Sequence, residues 1–173
     1  MDTTRHVTTS RFCKSIFALC MVLGVAFPTP GHTHDYRIGS LRIDHPWATA
    51  TPRGAKVGVG YMKIINDGAQ ADRLIAITSP VSHKVAVHAS VKEGDIVKMR
   101  LLDKGLQIKP GETVELVPEG THVMFEGLSG PLVAGTRARA TLTFEKAGSI
   151  DVEYTVQPLG TKASKPAAHT NGH

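Results

Sequence analysis

From Tyr36 to Gln157 the apolar residues come in short runs, and none keeps a helical spacing for the length a helix needs. Val, Ile, Leu, Thr and Phe fill the runs; Gly, Pro, Asp and Asn separate them. The pattern predicts strands over Tyr36–Ile43, Val57–Asn66, Arg73–Thr78, Lys84–Val91, Ile96–Leu102, Thr113–Val117, His122–Glu126, Arg137–Glu145 and Ile150–Gln157. Turn residues stand between them at Asn66-Asp67-Gly68, Glu93-Gly94-Asp95, Pro110-Gly111, Pro118-Glu119-Gly120 and Ala147-Gly148. The segment Ala138–Phe144 sets Ala138, Ala140, Leu142 and Phe144 against Arg139, Thr141 and Thr143, the two-residue alternation of a half-buried strand. The expectation is an all-β sandwich of about nine antiparallel strands. Trp47, the only tryptophan, reads as a core anchor.

The two ends do not share this pattern. Arg5, Arg11 and Lys14 precede an apolar run from Ser15 to Phe27, too short to span a bilayer as a helix, and Pro28-Thr29-Pro30-Gly31 breaks it. Residues 1–31 therefore read as an export signal with cleavage after Gly31 and no stable membrane insertion afterwards. A lipoprotein signal does not fit Cys20, because Leu19 before it is bulky and the cysteine lies inside the apolar run. Residues 32–158 form the expected domain, and the Lys-, Ala-, Ser- and Pro-rich segment 159–173 reads as a flexible tail.

Export changes the chemistry open to the chain. Cys13 and Cys20 both leave with the signal, so the mature protein has no thiol. Disulfides, cysteine nucleophiles and a blue-copper centre, which needs a thiolate, are excluded. The formal charge of +5 falls to +3 once three cations and Asp2 are removed. The remaining Lys and Arg are scattered, with no basic-aromatic patch suited to nucleic acid. No Ser/His/Asp pattern, paired acid motif, phosphate loop or HExxH is present, so nothing points to an enzyme.

Three methionines remain beyond the signal: Met62, Met99 and Met124. Met62 lies in an apolar strand and reads as core filler. The other two stand near histidines. His122 and Met124 are two apart, hence on one face of a strand, with Val123 turned to the other. If Lys92–Asp95 connects the preceding hairpin, Val91 faces Ile96 and His88 faces Met99, which sets those two side chains opposite each other. Two imidazoles and two thioethers, all neutral, form a ligand set suited to Cu(I): soft thioether sulfur selects it, whereas zinc, magnesium and calcium favour thiolate, carboxylate or other oxygen ligands. His88, Met99, His122 and Met124 are the candidate metal ligands. His45 and His83 read as structural or solvent residues. His32 and His34, near the new N-terminus, and His169 and His173 on the tail could hold a second, weaker copper as Cu(II).

The order His88, ten residues, Met99, then His122-Val123-Met124 resembles the signature of the periplasmic Cu(A) chaperone family, the PCu(A)C proteins. Supporting stretches are Asp44-His45-Pro46-Trp47-Ala48, Gly60-Tyr61-Met62, Asp72-Arg73-Leu74, Gly105-Leu106-Gln107-Ile108, Gly127-Leu128 and Thr141-Leu142-Thr143-Phe144. The likeness runs from Tyr36 to Val156. The 22-residue gap between Met99 and His122 is one longer than the usual form, which reads as a loop insertion, and Ala89 stands at a variable position. The resemblance implies a cupredoxin-like Greek-key β-sandwich in the periplasm that binds Cu(I). It also implies delivery toward the Cu(A) site of a cytochrome oxidase subunit, together with a Sco-type copper protein. Two other expectations fit the same residues: an exported copper buffer serving resistance, and a structural β-sandwich whose histidines bind no metal.

Overall fold

The structure is a computed structural model and describes residues 35–160 apart from 94 and 95, with the backbone alone at Lys92 and Glu93. The signal at 1–31, the histidines at 32, 34, 169 and 173, and the tail from residue 161 onward lie outside the described residues.

The described residues form eleven strands: β1 (Tyr36–Ile38), β2 (Leu41–Thr49), β3 (Val57–Asn66), β4 (Asp72–Thr78), β5 (Ser82–Glu93), β6 (Ile96–Leu101), β7 (Leu106–Ile108), β8 (Thr113–Leu116), β9 (His122–Leu128), β10 (Arg137–Phe144) and β11 (Gly148–Gln157). Among the described residues no helix is long and apolar enough to cross a membrane. The expected first strand divides at Gly39, whose φ of 56° turns the chain between β1 and β2. The short β7, which pairs with β4 at Asp72↔Ile108, has no alternation of its own to announce it.

Seven strands close a ring in the order β2, β11, β10, β4, β5, β9, β3 and back to β2. An odd-membered ring cannot alternate strand direction all the way round. The mismatch falls between β11 and β2, which run parallel at Thr155↔Trp47 while every other pairing is antiparallel. The result is the all-β, cupredoxin-like sandwich that the sequence led us to expect, with one pairing forced out of the antiparallel pattern by closure. β1, β6, β7 and β8 are added to strands of this ring.

Alternation places the core. Ala138, Ala140, Leu142 and Phe144 of β10 are buried, as are Val123 and Phe125 of β9 and Val87 of β5. They meet Ile64, Leu74, Ile108, Val152 and Tyr154 in one apolar cluster. Met62 fills a gap there, as expected, and its Sδ accepts a hydrogen bond of 3.5 Å from the Tyr154 hydroxyl. Burial pushes the Tyr154 phenol well above its ordinary range, so the hydroxyl stays a donor. Trp47 behaves differently. It is buried, but it stacks on Tyr61 at 4.4 Å between ring centroids and stands outside the main apolar cluster. A bulge between Asp44 and Trp47, with His45 at φ 48°, shifts the alternation of β2, so that Ala48 rather than Trp47 enters the cluster.

Gly60 lets β3 approach the centre of the core. A Cβ there would stand 2.9 Å from Phe125 and 3.0 Å from Tyr154, whose rings meet edge to face at 5.4 Å. Gly60→Ala is expected to destabilise the fold by about 1–3 kcal/mol through overpacking, read as a lower urea midpoint; an unchanged midpoint would show that the two rings yield freely.

Candidate metal centre

Strand pairing decides which predicted ligands can meet. β5 and β9 pair with Val87 against Val123 and His88 against His122. Val87 and Val123 both point into the core. Their neighbours His88 and His122 therefore share the opposite face, and Met124, two residues on, shares it too. The two imidazole rings lie 6.2 Å apart between centroids with a 25° angle between their planes. Met124 pairs with Ala86 on β5 and with Val59 on β3.

The predicted hairpin register is corrected by two residues. Glu93 pairs with Ile96, Ser90 with Met99, and His88 with Leu101. Only Gly94 and Asp95 remain between the strands. A Gly-Asp pair suits a two-residue hairpin connection, which draws Lys92 and Glu93 into the ladder. The shift is even, so Met99 keeps the face of His88 but sits opposite Ser90, two pairs further out. β5 leaves the ring here: its pairing with β9 ends at His88, and from His88 to Glu93 it pairs with β6. Every residue of β6 is exposed, Met99 to 60%. The structure thus brings His88, His122 and Met124 together on the ring. Met99 lies on the projecting arm, on the far side of the histidine pair from Met124.

His122 is only 5% exposed, and its ring orientation is set by a local bond: Nδ1 lies 3.0 Å from the carbonyl oxygen of Gly120. A carbonyl only accepts, so Nδ1 carries the proton and Nε2 is left with its lone pair. That Nε2 is buried without a hydrogen-bond partner, and so is Nε2 of His88. Two orphaned imidazole nitrogens on one face are unfavourable by about 1–3 kcal/mol each, and a buried polar group without a partner is what an incoming ligand satisfies. The donor set therefore fits a soft metal ion.

One residue of this face went unrecognised in the sequence. Glu126 continues the two-residue spacing of His122 and Met124. Its Oε1 lies 3.6 Å from His88 Nε2, and Lys84 Nζ lies 3.3–3.4 Å from its two oxygens. Glu126 pairs with Lys84, four residues before His88 on β5, so the His88 ring leans across Ala86 to reach it. The His-x-Met-x-Glu spacing was the available signal. Among the described residues no three His, Cys, Asp or Glu side chains converge as a metal site.

A family model described as "Putative lipoprotein LpqE-like" matches residues 41–156. A curated relative, "Putative lipoprotein Lxx21020" of Leifsonia xyli subsp. xyli (strain CTCB07), is 25% identical over 154 residues, covering 86% of this chain and 92% of its own. Among solved structures, the copper-bound PCuAC domain from PmoF2 is 30% identical with a TM-score of 0.63, over 72% of this chain and 98% of that one. The copper(I) form of DR1885 from Deinococcus radiodurans, 22% identical over 73% of this chain and 83% of that one, superposes with a TM-score of 0.56, a likeness of fold.

In the copper-free protein in mildly alkaline solution, long-range proton–nitrogen NMR is expected to find the His122 proton on Nδ1. A proton on Nε2 would contradict the Gly120 bond as the element that orients this ring.

Proposed function

The chain belongs to the LpqE-like family, and from that premise we propose that it is an exported, non-enzymatic copper(I) carrier acting in the cell envelope. The observation that carries this reading is the buried, partnerless Nε2 of His122, with His88 paired across from it and Met124 on the same strand face. Similarity to PCuAC domains, one of them described as copper-bound, supports the same ligand chemistry. The lipoprotein names of its relatives agree with export. We place the mature protein in the periplasm, after loss of residues 1–31, with 32–158 as the copper-binding domain and 159–173 as a tail.

In this reading Cu(I) is cargo. His88, His122 and Met124 hold it on the ring, and Met99 joins from the arm. Neutral ligands leave the bound ion its single charge, so release involves no proton uptake by a thiolate. Met99, exposed on the arm, is the ligand an acceptor reaches first. The intended acceptor is the Cu(A) site of an oxidase subunit, with a Sco-type protein as the thiol partner. A weaker Cu(II) site at His32, His34, His169 and His173 belongs to the same proposal.

Titration against a coloured Cu(I) chelator is expected to show one tightly bound Cu(I) per chain, once those four terminal histidines are replaced. Met124→Leu and Met99→Leu keep the volume and remove the sulfur. Each is expected to weaken binding at least tenfold with an unchanged fold, Met124 more than the exposed Met99. Parent-like affinity in Met99→Leu would remove that residue from the ligand set. Absence of stoichiometric Cu(I) binding by the parent would leave a structural sandwich. Delivery is separated from buffering by deleting the gene at low copper: oxidase activity falls if the protein delivers and is unchanged if it only buffers.

A further inference from the structure

Resting on that reading of the site, we propose that the two histidines bind copper through opposite ring nitrogens, with Glu126 as the positioning residue for His88. His122 donates Nδ1–H to Gly120 and turns Nε2 to the ion. His88 is placed the other way round. Its Nε2 is buried, has no hydrogen-bond partner, and has Glu126 Oε1 3.6 Å away. A shift of a few tenths of an ångström makes this a hydrogen bond of ordinary length. A carboxylate only accepts, so the proton then sits on Nε2 and the lone pair on Nδ1.

The alternative is that His88 Nε2 takes the ion. Copper would then have to enter the space between that nitrogen and Glu126, within bonding distance of a carboxylate. Glu126 would become a ligand beside two imidazoles. A hard oxygen in that place would work against Cu(I). As a partner of His88 rather than of the ion, Glu126 does what carboxylates commonly do for ligating histidines: it fixes the tautomer and the ring and makes the free nitrogen a better donor. Lys84 holds the carboxylate from its other side at 3.3–3.4 Å. Glu126 thereby stays aimed at β5 and away from the ion.

The test is long-range proton–nitrogen NMR of the whole protein, nitrogen-labelled and loaded with Cu(I) in the absence of oxygen. Two different patterns are expected: His122 with its proton on Nδ1 and copper on Nε2, His88 with its proton on Nε2 and copper on Nδ1. Glu126→Leu, which removes the acceptor, should scramble the His88 pattern and weaken Cu(I) about 10–100-fold. Glu126→Gln, whose amide oxygen still accepts, should restore the pattern and most of the affinity. Copper on Nε2 of His88 in the parent would overturn the proposal while leaving the copper site intact, as would Cu(I) affinity in Glu126→Leu equal to the parent's. If neither histidine responds to Cu(I), the site reading itself falls, and this inference with it.

Discussion

The register between β5 and β9 is the constraint on which the rest depends. Val87, Val123 and Phe125 enter the core from these two strands, and burying each such side chain stabilises the fold by about 1.5–3 kcal/mol. A one-residue slip of β9 would turn Val123 and Phe125 outward and drive His122 and Met124 inward. The lost burial alone amounts to several kcal/mol, a large part of the net stability of a domain this size. The core therefore fixes which face the histidines and Met124 share. Function enters only at the residues left on the other side.

That outer face carries the unfavourable terms. Buried imidazole nitrogens without partners oppose folding by about 1–3 kcal/mol each, and the ring offsets them through its closed set of strands. The bulge at His45 and Pro46 adds a local irregularity in β2 and sets Trp47 against Tyr61. Tyr61 follows Gly60 on β3, and Gly60 pairs with Val123, so this aromatic pair stands along the strand row that leads to His122. Burial raises the Tyr61 phenol above its usual range, and a bond with Thr49 opposes that shift. The Tyr61 phenol therefore stays neutral, and the charged groups beside the histidines are Glu126 on β9 and Lys84 on β5.

Much of this was legible in the sequence. The two-residue alternation located most strands, and the spacing of His122 and Met124 gave their shared face directly. His88 could be placed near them only through the resemblance, because its partner strand lies more than thirty residues away and no local rule encodes a long-range register. The hairpin register was misjudged because turn length is set by how far the ladder extends, and Gly94-Asp95 can close it in two residues. Glu126 escaped notice for another reason. A carboxylate two residues beyond a ligand looks like an ordinary surface position until the lean of the His88 ring is known. Trp47 is buried as expected, but the bulge that sets it against Tyr61 is not announced by composition.

The four proposed ligands divide between two mechanical settings, and this division bears on the proposed transfer. His88, His122 and Met124 belong to a ring whose geometry is set by the core. Met99 belongs to an exposed strand that pairs only with β5. Moving the arm breaks few apolar contacts, because almost none of its side chains is buried. In the proposed reading the ring would offer the ion two imidazoles and one thioether, and the arm would supply the second thioether. An acceptor that displaces Met99 first meets the smallest structural resistance, and the ion is then open on the side where the arm stood. Had all four ligands come from the ring, each ligand exchange would have had to deform the core. Placing one thioether on the arm separates the stability of the fold from the lability of the bound ion, and a carrier needs both.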